Sequence, residues 1–135
     1  MIRPRLADDT TLLCDVAAHL LRQRVEKYPA FVSAAKMTQA DADNGIRIMS
    51  AVAARWRMVP IRDLMQPRPD ALDLATEQEM RDTLAAAATR TSQIATADPS
   101  PYNTEYAAIV AALLWHAERA LAAEASHRTR HAQAA

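Results

Sequence analysis

Glycine is almost missing from this 135-residue chain: Gly45 stands alone against 31 alanines. Phosphate-cradling loops, hairpin turns and strained catalytic elbows are built on glycine, which visits positive φ at no steric cost. Devices of that kind are excluded. Alanine is the best helix former, so the chain is free to be helical except where one of its seven prolines falls. Cysteine is as scarce. Cys14 has no partner in the sequence, which excludes an intramolecular disulfide and points to a reducing compartment, the cytoplasm. Long apolar runs are missing too: the longest, Tyr106 to Ala117, stops at Glu118 and Arg119, short of the roughly 20 residues that span a bilayer. No membrane segment is expected, and Met1 to Asp9, charged and without an apolar h-region, is not expected to be a secretory signal.

Net charge is missing as well, with 16 Lys/Arg balancing 16 Asp/Glu, but the balance hides an asymmetry. Residues 1 to 68 hold eleven basic and seven acidic side chains; residues 69 to 126 hold three and nine. Such a split marks a nucleic-acid surface, a head-to-tail self-association or an internal match between two hairpins. The length fits one domain with an ordinary core.

What is present reads as an all-α domain over 1–126, a compact bundle of four main helices plus one short helix, followed by a flexible tail over 127–135. In the first helix Leu13, Val16, Ala17, Leu20, Leu21 and Val25 recur at the helical period, with Asp9 or Thr10 as the cap. Tyr28 before Pro29 predicts a turn, and Pro29 to Lys36 a short second helix. Thr38 with Asp41 opens the next helix as a capping box, whose inner stripe is Ala42, Gly45, Ile46, Met49, Val52, Ala53 and Trp56. Gly45 inside a helix costs about 1 kcal/mol relative to alanine, and close approach of another helix backbone is the expected compensation; opening the backbone to a ligand is the functional alternative.

From Met58 to Asp70, Pro60, Pro67 and Pro69 interrupt a stretch that still contains Ile61, Leu64 and Met65. This is the main connection, and its apolar residues either pack on the core or form a partner-binding loop. The following helix starts at a capping box of Thr76 and Glu79, or earlier at Asp70, with Leu74, Met80, Leu84, Ala87, Ala88, Thr91 and Ile94 on its apolar side. After the turn Asp98 to Pro101, Asn103 or Thr104 caps the last helix, which carries Ile109, Val110, Leu113, Leu114, Ala117, Ala120 and Leu121. Its apolar arc is wide. It is therefore either the central element of the bundle or a face shared with a second copy, a homodimer that buries Ile109, Leu113 and Leu121.

No nucleophile, acid and base assemble from local sequence, and no cofactor or metal site is expected. Asp15 and His19 have the spacing of a dyad and equally of a surface pair; Glu124 and His127 lack the second pair that a di-metal bundle needs. His127 and His131, four apart, have a spacing that can bind a metal on a helix, but in a disordered tail without a carboxylate or third ligand the binding would be weak. Cys14 reads as a small buried apolar residue or, near a helix start, an activated thiolate. Met37, Met49, Met58, Met65 and Met80 read as core filler or as an adaptable binding patch. Arg47, Arg55, Arg57, Arg62 and Arg68 cluster around the proline-rich connection and suit phosphate contact, although one continuous helix after Thr38 is no helix-turn-helix.

Arg24, Tyr28-Pro29, Val32, Lys36-Met37-Thr38, Ala42, Ile46 and Met49 form a pattern that resembles small uncharacterised phage and prophage proteins, with Ala35 where those sequences often place glycine. The resemblance implies a phage-associated setting and brings no catalytic residue. The expectation is a non-enzymatic protein that binds a protein partner, as adaptor or inhibitor of a host protein or defence complex, through Ile61, Leu64 and Met65 with Arg55, Arg57 and Arg62. The alternative is nucleic-acid binding through the arginines of residues 47–68.

Overall fold

The structure, a computed structural model, describes residues 3–62 and 74–134, with side-chain environments for 3–57 and 74–133. Four helices, α1 (Thr10–Ser33), α2 (Gln39–Arg62), α3 (Glu77–Ala97) and α4 (Pro101–Ala134), account for nearly all of it, and no strand occurs among the described residues. The class is all-α. Where the sequence reads as one domain over 1–126, the chain divides into two compact units: residues 9–76 hold α1 and α2, while residues 1–8 belong with α3 and α4.

In the unit of residues 9–76, Asp9 caps α1, its Oδ1 accepting from the Leu12 amide at 3.1 Å. The expected break at Tyr28-Pro29 does not occur, and no separate short helix follows it: α1 runs through Pro29 to Ser33. Proline at that position gives no N–H to the carbonyl of Val25 and crowds the preceding turn. The helix is held from the side just ahead of it, where the Tyr28 ring lies on α2 at Gly45 and Arg24 donates to the Gly45 carbonyl at 3.2 Å. The true end comes four residues later. There the Lys36 amide donates to the Phe31 carbonyl at 2.9 Å and the Ala35 amide to that of Val32 at 3.0 Å, with Ala35 at φ 58°, a Schellman turn closed by alanine. Thr38 Oγ1 then accepts from the Asp41 amide at 3.1 Å, and α2 returns along α1.

The buried stripes are largely the expected ones. Leu13, Val16, Ala17 and Leu20 of α1 and Ala42, Met49, Val52, Ala53 and Trp56 of α2 are buried, joined by Ile48 and Ala51. Val25, placed on the inner stripe by its period, is exposed. Helix α2 also runs on through Pro60 to Arg62, where the sequence suggests a loop beginning at Met58.

In the second unit α3 packs against α4, with Met80, Leu84 and Thr91 buried on one and Ile109, Val110, Ala112, Leu113, Trp115 and Ala117 on the other. Leu74 lies ahead of α3, which starts at Glu77, and is exposed; so is Ile94 near the end of that helix. Helix α4 starts earlier than Asn103 or Thr104 would allow. Ser100 is its cap, with Oγ accepting from the Asn103 amide at 3.1 Å, and Pro101 takes the first helical position, where its missing N–H costs nothing. At the other end α4 continues to Ala134, so residues 127–134, expected as a frayed tail, are helical here. Glu124 and Arg128 support that stretch by an i,i+4 ion pair at 2.6 Å.

Candidate functional site

Helix α2 delivers two of the expected partner-binding residues. Arg55 is half-buried and Arg57 exposed. Ile61 and Arg62 lie in the last turn of α2, but their side chains and that of Met58, and Leu64, Met65 and Arg68 altogether, fall outside the described residues. Arg47, the first member of the arginine cluster, is drawn into its own unit: its guanidinium donates to the Leu74 carbonyl and to Asn44 Oδ1, each at 2.6 Å. Arg24 is likewise committed, with its guanidinium carbon 5.9 Å from the Tyr28 ring centre as well as its bond to Gly45.

Gly45 owes its place to that cluster. A Cβ built on it would come 3.0 Å from Cε2 of Tyr28, so the close neighbour is an aromatic side chain and not the helix backbone expected from the sequence. Its carbonyl serves Arg24, a structural contact inside the α1–α2 hairpin.

The apolar arc of α4 is spent within the chain. Ile109 and Leu113 are buried and Leu121 is half-buried, which removes the first two from a homodimer face. Part of that arc is covered by the N-terminal residues. Ala7 is buried and its carbonyl accepts from His116 Nε2 at 2.7 Å, Arg5 pairs with Glu105 at 2.8 Å, and Arg3, bonded to Asp8, has its guanidinium carbon 5.6 Å from the Trp115 ring centre. Arg119 lies over the same ring at 4.6 Å. Because a carbonyl only accepts, Nε2 of His116 is the donor in this contact. Sequence reading missed this strap, since residues 3–8 carry no helical period to reveal that they pack.

Also unforeseen is an exposed aromatic end on the α3–α4 hairpin. Tyr102 is 70 % exposed and stacks on Tyr106, ring centres 6.0 Å apart and planes within 10°, while Ile94 stands exposed just before the same turn. Phe31 and Val25 are the exposed large apolar residues of α1. Tyrosine close behind Pro101 was the available signal, masked by reading the helix as starting at Asn103.

Among the residues weighed for chemistry, Cys14 is a free, half-buried thiol, Asp15 is exposed and His19 half-buried. Met49 and Met80 are core filler, as their period implied. Glu124 is engaged by Arg128. Among the described residues no group of three or more His, Cys, Asp or Glu side chains is placed to hold a metal ion, and no helix is long and apolar enough to cross a membrane. Comparison with protein-family models, with curated proteins and with solved structures finds no match.

Proposed function

We propose that this chain is a non-enzymatic, phage-associated cytoplasmic protein that grips a protein partner, as an adaptor or as an inhibitor of a host protein or defence complex. Ile61, Leu64 and Met65 are its anchors in this reading, with Arg55, Arg57 and Arg62 around them. The observation that supports it most is the fate of Arg47. Of the arginines that would line a phosphate track, Arg47 spends its guanidinium on Leu74 and Asn44 inside its own unit. The remaining ones are interleaved with aliphatic residues, and the run of α2 through Pro60 sets Ile61 one helical turn after the exposed Arg57. Arginine beside large apolar side chains is the composition of an interface hot spot. A polyanion, in contrast, is drawn by net positive charge, and this chain has none. The phage setting rests on the resemblance carried by residues 24–52.

Titration with duplex DNA and with RNA over a range of salt tests the reading against its rival. Binding is expected to be negligible at physiological salt. Tight binding that falls steeply with salt, and that is abolished by reversing the charges of Arg55, Arg57 and Arg62 together, would overturn it in favour of nucleic acid.

A further inference from the structure

The sequence argues against a metal at His127 and His131 on two grounds, an expected disordered tail and the lack of a third ligand; the structure removes the first, since both lie on α4, which runs unbroken to Ala134. That changes their chemistry. One helical turn apart, their β-carbons are held roughly 5–6 Å from each other on one face. The ring centres are 5.0 Å apart and the planes cross at 71°. With metal–nitrogen bonds of about 2.0–2.1 Å and ring centres about 1.1 Å further out, two imidazoles on one tetrahedral ion have their centres roughly 5 Å apart. The pair therefore stands near the separation that chelation requires, and both residues are exposed, so an ion has free approach.

From this geometry we infer that His127 and His131 form a two-point chelate for a divalent transition-metal ion on the exposed end of α4. Imidazole nitrogen selects ions of the nickel, copper and zinc kind over magnesium or calcium, which prefer oxygen. Water completes the coordination, which makes the ion exchangeable. Glu124 lies one turn before His127, but its carboxylate is held by Arg128 at 2.6 Å, so the pair acts without a third protein ligand. Arg128 and Arg130 flank the pair on the same helix and weaken the attraction for a cation. The inference stands apart from the partner-binding reading, since it uses no residue of α2.

Calorimetric titration of the untagged full chain with Ni²⁺, with Mg²⁺ as control, tests it. One Ni²⁺ per chain is expected, with no heat from Mg²⁺; His127→Asn or His131→Asn alone should weaken binding by roughly tenfold or more, since a chelate is reduced to a single ligand. Amide hydrogen exchange over residues 125–134 should slow when Ni²⁺ is added, as the ion ties successive turns together. A wild-type chain that takes up no Ni²⁺, or a double variant His127→Asn, His131→Asn that binds as well as wild type, would overturn the inference.

Discussion

Ala35 holds a backbone conformation that glycine adopts far more cheaply. At φ 58° its β-carbon crowds the following carbonyl, a strain of about 1–2 kcal/mol for an L-residue. Ala35→Gly should therefore stabilise the chain by about 1 kcal/mol, the relief of strain outweighing the entropy that glycine adds to the unfolded chain. Denaturant unfolding measures it, and a lower midpoint would show that the Schellman turn is not strained. Gly45 is the converse case. Helix propensity favours a side chain there by about 1 kcal/mol, yet a Cβ would meet Tyr28 at 3.0 Å. Gly45→Leu should destabilise by about 1–3 kcal/mol through overpacking, and the loss should shrink in a Tyr28→Ala background, where the ring is no longer in the way. Equal losses in both backgrounds would place the obstruction elsewhere.

At the scale of elements, Pro29 is the informative conflict. Local chemistry ends a helix before proline, but Tyr28 on Gly45 and Arg24 on the Gly45 carbonyl hold α1 against α2 up to the expected break, and the helix continues through it to Ser33. Pro29 is exposed, so Pro29→Ala should restore the hydrogen bond to Val25 and stabilise by about 1–3 kcal/mol. Thermal unfolding of the variant reads this directly, and a loss of stability would mean that the proline is needed to set the helix direction. The same contrast explains how much of the fold was legible. Caps at Asp9 and Thr38 and the buried stripe of α2 follow from short-range chemistry and period, and both were readable. The unbroken course of α1 rests on contacts between residues some 20 positions apart, which no local pattern records. The start of α4 was misplaced because Ser100-Pro101 and Asn103-Thr104 are both competent caps, and only the Ser100 hydroxyl bond to Asn103 decides between them. The site was less legible than the fold. Arg47 reads like its neighbours in sequence, and its commitment to Leu74 and Asn44 is visible only in three dimensions.

For the whole molecule, the balance of charge hides a division of labour between units. The front half keeps its basic surplus while two of its arginines, Arg24 and Arg47, are committed inside their own unit. The wide apolar arc of α4, which the sequence offers equally to a bundle centre or a second copy, is spent on Ile109, Leu113 and Trp115, with the N-terminal residues laid over it through Ala7 and His116. In the proposed reading the partner is gripped by Ile61, Leu64 and Met65, with Arg55, Arg57 and Arg62 around them. The most direct measurement is capture from nuclease-treated bacterial lysate at high salt, with wild-type chain beside Ile61→Ala, Leu64→Ala, Met65→Ala and a charge reversal of Arg55, Arg57 and Arg62, all confirmed helical by circular dichroism. The account predicts one defined protein retained by the wild type at fixed stoichiometry, lost from the alanine variant and only weakened by the charge reversal, because desolvated apolar anchors resist salt. Capture indifferent to the alanine substitutions and abolished by the charge reversal would contradict the account.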